Sequence, residues 1–327
     1  MIRTLHVGLG TIGREIIRAC MSRNVSVPSG AVDINPNLLN SSLSDLVTGA
    51  PEGAPVYGSI SDAVAGGEYD VAVLCTASHI PDVRDDLEAL INAGIDVVST
   101  TEELSYPQLQ HPEVSAELNA AARDAGVSIV GTGVNPGFVL DLLPAIMTRP
   151  CVEIASISAR RIVNTQRRRK QLQLKVGAGM SPQKFRALAE EGQIGHVGLL
   201  ESLALVAEAV GSPVDLDAVE HSLEPVIATE DIASDEVTVA AGEVCGAEES
   251  VRLSPTPETS IELFLRMRLG EPEEYDEVRI EGVPPIVMRI EGGVHGDVAT
   301  AGCTANIIPA TLNARAGLLT VLDLPIV

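Results

Sequence analysis

Over residues 1–145, short runs rich in Val and Ile alternate with stretches of helical period, and this rhythm constrains the fold more than any other feature of the chain. TLHVGL (4–9), GAVD (30–33), DVAVLC (70–75), DVVST (96–100) and VSIVGTG (127–133) read as strands. Residues 11–22, 79–93 and 112–125 carry the helical period between them. The last two end in NAG and DAG, with glycine where a left-handed C-cap belongs. Alternation of this kind predicts right-handed crossovers, a parallel sheet and helices on both of its faces.

Beyond residue 150 the rhythm changes. VEIASISARRIV (152–163), IELFLRMRL (261–269) and residues 277–293 are longer and closer to strict alternation, which suits a sheet with one covered face. Two helices are expected to cover it. One starts at Ser181 and Pro182, an N-cap followed by proline at N1, and ends at Gly192; the other is LLESLALVAEAVG (199–211). Residues 224–258 are acidic and punctuated by proline, and read as a surface excursion. Residues 306–327 read as a helix that packs back on the first domain. The expected division is therefore 1–145, 146–305 and 306–327.

The chain of 327 residues is 45% hydrophobic with no Trp, three Phe and four Tyr, so its core must be aliphatic. A net charge of −23, with Lys only at Lys170, Lys175 and Lys184, argues against nucleic acid and anionic membranes as partners. No apolar run approaches the roughly 18 residues of a membrane span. The five cysteines (Cys20, Cys75, Cys151, Cys245, Cys303) are scattered and never form a CxxC pair, which reads as reduced thiols. With a strand at the N-terminus in place of a signal peptide, a cytoplasmic location is expected. No metal site is legible.

GLGTIG, residues 8–13, leaves the first strand and opens the first helix, and Asp33 ends the second strand twenty residues after Gly13. This combination is the dinucleotide fingerprint of a doubly wound Rossmann domain. Gly8 permits the turn, Gly10 lets backbone approach a pyrophosphate, and Gly13 lets helix and strand pack closely; Thr11 and Ile12 complete the loop. The helix N-terminus favours the phosphates. Asp33 would accept both ribose hydroxyls and repel a 2′-phosphate, so NAD is favoured, with NADP tolerated if Asn35 or a distant Arg rearranges. The expected fold is thus α/β: an N-terminal doubly wound Rossmann domain plus a second α/β domain with an open mixed sheet covered by helices on one face.

Ligands of such a sheet sit beyond the C-terminal ends of its strands. Thr76, Ala77 and Ser78, Thr100, and Asn135, Pro136 and Gly137 all fall at that edge, and are expected to approach the cofactor. So do two adjacent carboxylates, Glu102 and Glu103. Either is a candidate acid–base group, Glu102 first as the nearer to the strand end. The competing reading is a capping box, since Ser99 and Glu102, or Thr100 and Glu103, have its spacing. Tyr106 and Pro107 leave little helix for such a cap to stabilise. The basic residues Arg160 and Arg161, with residues 167–170, read as a solvated face or a dimer contact before a carboxylate clamp.

GLGTIG, STTEELSYP, GTGVNPGFVLDLLP (131–144), KVGAGMSPQKF (175–185), GQIGHVGLLESL (192–203) and GGVHGDVATAGCTANIIP (292–309) together resemble the 2,4-diaminopentanoate dehydrogenase family, which includes native amine dehydrogenases and shares its architecture with dihydrodipicolinate reductases. The resemblance runs over nearly the whole chain. It implies a homodimer and NAD(P)-dependent interconversion of a small amine with a ketone or aldehyde plus ammonia, the nicotinamide C4 giving hydride to an iminium. The family's catalytic glutamate carries over to Glu102, with Glu103 as the alternative. Within the matching blocks Asn306 is a further candidate cofactor contact, and Phe138, His196, His295 and Thr300 are candidates for the substrate pocket, with Asn164 and Gln166 as polar candidates nearby. The diamino-acid dehydrogenase proper, and an NAD-binding sensor without catalysis, stay open beside the amine dehydrogenase.

Overall fold

A computed structural model describes residues 1–39, 41–256 and 259–325. The chain divides into two compact units, Met1–Phe138 with His295–Val327, and Val139–Val294. Unit 1 opens with β1 (Arg3–Val7), α1 (Thr11–Ser22), β2 (Val27–Val32), α2 (Leu43–Leu46), β3 (Val56–Tyr57), α3 (Ile60–Gly66), β4 (Val71–Leu74), α4 (Ile80–Asn92), β5 (Asp96–Ser99), α5 (Pro112–Ala125) and β6 (Ser128–Gly131). Unit 2 holds α6 (Leu142–Met147), β7 (Glu153–Asn164), α7 (Lys170–Lys175), α8 (Pro182–Glu190), α9 (Leu199–Ala209), β8 (Glu220–Ile227), β9 (Ile232–Ala233), β10 (Thr238–Val239), β11 (Val244–Thr256), β12 (Thr259–Arg268), β13 (Tyr275–Val283) and β14 (Ile286–Glu291). Then α10 (Gly296–Leu312) and β15 (Gly317–Leu319) belong to unit 1 again.

Unit 1 is built on a seven-stranded sheet of order β15-β6-β5-β4-β1-β2-β3, every pair parallel. Because side chains alternate along a strand, Ala72 and Leu74 face one layer while Val71 and Val73 face the other, and all four are fully buried. The first layer packs on Val83, Leu87 and Leu90 of α4 and Leu118 and Ala122 of α5. On β4, β5 and β6 also lies α10, which packs against α1. Gly94 and Gly126, at φ 70° and 74°, end α4 and α5 as the NAG and DAG signals require.

The expectation for residues 306–327 is corrected here. The helix starts ten residues earlier, at Gly296, and stops at Leu312; residues 317–319 then pair with β6 as an edge strand. Gly296, Gly302 and the β-branched threonines lower the helix propensity of its first half. Tertiary packing supplies what propensity lacks: Ala301, Thr304, Ala305 and Ile308 are buried.

Unit 2 is built on a six-stranded mixed sheet of order β14-β13-β7-β12-β11-β8, in which only β7 and β12 run parallel. Register aligns Ile280, Ile157, Ile261 and Leu253 in one row and Val278, Ala159, Leu263 and Val251 in the next. All eight are buried, and α9 lies on β11 and β12. The helix from Ser181 forms as expected, the Ser181 side chain accepting a hydrogen bond from the Lys184 N–H.

The expected surface excursion over 224–258 is overturned at both ends: residues 220–227 and 244–256 are strands of this sheet, while 228–243, mostly exposed and carrying only the short pair β9 and β10, do lie off it; residues 257 and 258 lie outside the described residues. Glu248, Ser250 and Arg252 line the uncovered face, while Ala247, Glu249, Val251 and Leu253 are buried on the other, so the segment alternates as a strand does, with Glu249 its one buried acid. The basic residues also divide. Arg160 is exposed beside Glu262 and over the Phe264 ring. Arg161 is buried, donates to both oxygens of buried Asp276 and to the Val294 carbonyl, and so is no solvated cation.

The third row of the covered face, Asp276, Arg161, Leu265 and Glu249, is polar at both ends. Glu249 accepts from the His196 N–H at 2.7 Å and bonds His221 Nε2 at 2.9 Å. That hydrogen bond raises the His221 pKa, against burial, which lowers it, and with the Glu249 charge adding to the rise. A folded pKa above the unfolded value of about 6.5 means that protonated His221 stabilises fully below that value, and its contribution fades as pH rises through the folded pKa. His221→Gln is therefore expected to depress the melting temperature most below about pH 6. Equal deficits at about pH 5 and about pH 9 would exclude the linkage.

Candidate active site

Parallel pairing brings the C-terminal ends of β2, β1, β4, β5 and β6 side by side, and backbone hydrogen bonds step across that edge. Gly8 N–H donates to the Val32 carbonyl, Cys75 N–H to Val7, Thr100 N–H to Leu74 and Thr132 N–H to Ser99. The loops holding most of the residues singled out in the sequence therefore start from one line.

The glycine-rich turn is shaped by close approach. A Cβ on Gly8, which has φ +94°, would meet the Cys75 carbonyl oxygen at 2.8 Å, and one on Gly13 would lie 2.0 Å from the Gly8 carbonyl oxygen. A Cβ on Gly10 would meet nothing within 4 Å, and Gly10 and Thr11 are exposed. Two glycines thus close the turn and the third leaves its outer side open, a cradle that fits a pyrophosphate. The first turn of α1 carries no acidic residue and no capping side chain to compete for its N–H groups. Half-buried Asp33 accepts from the Leu9 N–H and the Asn35 N–H, both at 2.8 Å, which aims its carboxylate along the turn. A carboxylate has about four acceptor positions, so capacity for ribose hydroxyls remains.

The two glutamates open a single 3-10 turn, Glu102–Ser105, with Thr101 at its N-cap. The capping boxes of the competing reading, with Ser99 or Thr100, do not form: no side chain caps this turn, and the Ser99 hydroxyl donates to the Leu74 carbonyl. Glu102 is half-buried. Glu103 is buried and serves other helices. Its Oε1 lies 2.7 Å from His79 Nδ1; its Oε2 accepts from the Ile80 N–H at 2.7 Å and lies 2.8 Å from His111 Nε2. Burial pushes the Glu103 carboxyl up, but the hydrogen bonds from His79 and Ile80 and the charges of His111 and His79 prevail and hold it below the usual carboxylate range.

Thr76, Ala77, Ser78 and Thr100 lie on the neighbouring loops; the Ala77 carbonyl accepts from the Thr101 hydroxyl and the Ser78 carbonyl from the Glu103 N–H. Asn135, Pro136 and Gly137 are buried in the turn after β6, where Gly137, at φ +123°, folds back onto Gly133. The Val134 N–H donates to the Thr300 hydroxyl, so Thr300 joins this group from the first turn of α10. Half-buried Phe138 follows directly, and His295 is exposed at the N-cap position of α10. Asn306 does not join them. It is exposed about 9 Å further along α10 by helical rise, in a depression shared with Pro309, Asn313, Arg315 and Asp323.

In unit 2, the side chains of Asn164 and Gln166 bond backbone groups of the same unit. Asn164 Nδ2 donates to the Glu271 carbonyl and Oδ1 accepts from the Gln166 N–H, while Gln166 Nε2 donates to the Ala233 carbonyl. His196 sits on the loop beside Glu249. The Cys75 thiol is pushed up to about 12, chiefly by burial, which fits a packing role. Among the described residues no group of three or more His, Cys, Asp or Glu side chains gathers to hold a metal, and no helix is long and apolar enough to cross a membrane.

Sequence reasoning missed His79, His111 and Arg14. Each histidine occupies the N-cap position of a helix with proline at N1 or N2, a signal that was present in HIP and HP. Arg14 Nε donates to the Leu9 carbonyl, which ties a cation to the glycine-rich turn.

Residues 138–327 match the family model of the 2,4-diaminopentanoate dehydrogenase C-terminal domain. The chain is 31% identical to the 2,4-diaminopentanoate dehydrogenase of Acetoanaerobium sticklandii over 334 residues, covering 99% of this chain and 94% of that one. In fold it is similar to an amine dehydrogenase from Mycobacterium smegmatis, with TM-score 0.88, 23% identity, and coverage of 99% and 96%. It is also similar to the WlbA dehydrogenase from Bordetella pertussis, solved with NADH and UDP-GlcNAcA, with TM-score 0.56, 17% identity, and coverage of 95% and 86%.

The 3-10 turn sits on β6 at Gly131, where a Cβ would lie 2.4 Å from the Leu104 carbonyl carbon and 2.5 Å from the Ser105 nitrogen. Gly131→Ala is expected to destabilise unit 1 by about 1–3 kcal/mol through overpacking. Thermal unfolding unchanged by the substitution would show that the turn has room to shift.

Proposed function

The chain belongs to the 2,4-diaminopentanoate dehydrogenase family, NAD(P)-dependent oxidoreductases acting on CH–NH2 groups, and on that premise we propose that it is an amine dehydrogenase with Glu102 as its acid–base residue and NAD as its preferred cofactor. The reaction converts a ketone or aldehyde, ammonium and NADH into an amine, NAD⁺ and water, and runs in reverse as oxidative deamination. The observation that carries the assignment is position. Glu102 opens the 3-10 turn at the strand edge that also holds the glycine-rich loop and Asp33, while the neighbouring Glu103 is turned to His79, His111 and the Ile80 N–H.

The residues 8–13 would hold the pyrophosphate and Asp33 the adenosine ribose, and the bound cofactor would supply the hydride. Glu102 takes a proton from ammonium, so that neutral ammonia attacks the carbonyl carbon. It returns the proton to the hydroxyl of the carbinolamine, which departs as water. Its restored charge then stabilises the positive iminium that accepts hydride. Positioned proton transfer of this kind contributes about 10²–10⁴-fold. Thr76, Ala77, Ser78 and Thr100, small or hydroxylated, leave room for a flat ring beside this carboxylate.

A second reading, the diamino acid itself as substrate, is favoured by the 31% identity to the A. sticklandii enzyme. It requires a cation for the substrate carboxylate, and Arg161 is spent on Asp276.

NADH oxidation at high ammonium and alkaline pH, over ketones, aldehydes and 2-amino-4-oxopentanoate, separates the two. Turnover of simple carbonyls that vanishes without ammonium is expected. Turnover of the amino-oxo acid alone would establish the second reading, and NADH binding without any turnover would leave a sensor. Glu102→Ala should lower kcat by about 10²–10⁴-fold while NADH affinity stays within about twofold; near-native turnover would remove Glu102 from the mechanism. Asp33→Ala should raise the NADPH preference about tenfold, roughly 1.4 kcal/mol, and an unchanged ratio would show that the ribose is read elsewhere.

A further inference from the structure

We infer that Glu103 is a positioning residue for Glu102: by bridging His79, His111 and the Ile80 N–H it fixes the 3-10 turn from which Glu102 projects. The inference rests on the role proposed above for Glu102. A 3-10 turn of four residues has little stability of its own, and Tyr106 and Pro107 prevent its growth into a helix. Its backbone offers few anchors. The Glu103 N–H reaches the Ser78 carbonyl at 3.2 Å and the Leu104 N–H the Thr101 carbonyl at 3.0 Å. Leu104 is fully buried, which holds the turn at its third position but not its first.

The Glu103 carboxylate supplies the missing hold. His79 and His111 stand at the N-cap positions of α4 and α5, and neither caps its own helix through its side chain. Glu103 stands in for the cap of α4, whose first N–H it accepts, and bonds the N-cap histidine of each helix. The N-terminus of α4 favours its negative charge. The turn is thereby tied to the starts of two thirteen- and fourteen-residue helices that pack on each other and on the sheet core. Glu102 is one residue away, so any slack at Glu103 becomes displacement of Glu102. Misplacement by about 1 Å can cost about 10²-fold in rate.

The test compares Glu103→Ala with Glu103→Gln in the full-length protein, reading amide hydrogen exchange at residues 100–105, kcat and the KM for NADH. Glutamine retains an oxygen to accept from Ile80 and His111 and an amide to donate to His79 Nδ1 once that nitrogen is unprotonated. Glu103→Ala should speed exchange in that segment at least tenfold and lower kcat about 10–100-fold, with the KM for NADH within about threefold. Glu103→Gln should recover most of both.

Unchanged exchange in Glu103→Ala would overturn the inference. So would faster exchange with native kcat, or equal kcat losses in both variants, since the charge alone would then matter. If Glu103→Ala does not fold, His79→Ala, which removes an exposed partner, should show the same two effects at smaller amplitude, and native values for both would count against the inference. If the native enzyme turns over no carbonyl, the functional reading fails, and exchange alone then decides whether Glu103 holds the turn.

Discussion

The parallel pairing of unit 1 is the constraint on which the site depends. When every strand runs the same way, every strand ends at the same edge, and loops far apart in sequence start from neighbouring points there. The hydrogen bonds from Gly8, Cys75, Thr100 and Thr132 to the strand before them in the sheet carry this alignment past the last paired residue. The glycine-rich turn, the small residues after β4 and the glutamate turn after β5 owe their proximity to it. In an antiparallel sheet of the same order, neighbouring strands would end at opposite edges, and the residues after β4 would be carried away from the other two.

Unit 2 meets a different requirement. Its sheet buries one face, so hydrophobic and charged residues alternate, and the two apolar rows exclude water from their half. In the third row a charge pair is accepted. Arg161 and Asp276 are each nearly inaccessible, and Arg161 also binds the Val294 carbonyl while Asp276 accepts the Val294 N–H. Burial costs such a pair several kcal/mol per ion before its attraction is counted. Burial lowers the Arg161 pKa and raises that of Asp276, each against the attraction of the other. What the pair adds is the fixed position of Val294, where the chain leaves unit 2.

How much of this was legible follows from how local each signal is. The glycine-rich loop and Asp33 could be read because the turn, the helix start and the second strand lie within thirty-odd residues and use chemistry specific to that arrangement. The core strands could be read because their periods are unmixed. Residues 224–227 and 244–256 were misread because proline and glutamate look like a loop when the buried alternate positions are not weighed; Pro225 sits in the edge strand β8, where proline is tolerated. The helix from Gly296 was missed for the opposite reason, since its small residues make a poor isolated helix and a good packed one.

The adjacent glutamates show why spacing alone could not separate cap from catalyst. In a 3-10 turn, three residues make one revolution, so neighbours project about 120° apart. Two consecutive acids in such a turn must face different surroundings, and each can be tuned independently. Glu103 meets partners 24 and 8 residues away in sequence, His79 and His111, which only the packing of α4 beside α5 brings together. The capping-box reading thus had the right physics and the wrong helix: Glu103 does satisfy a helix N-terminus, that of α4, and also bonds the histidine at the N-cap position of α5. A sequence window around residue 102 contains neither. The same packing that buries Glu103 leaves Glu102 half-buried at the strand edge, and one turn carries both carboxylates into surroundings that differ.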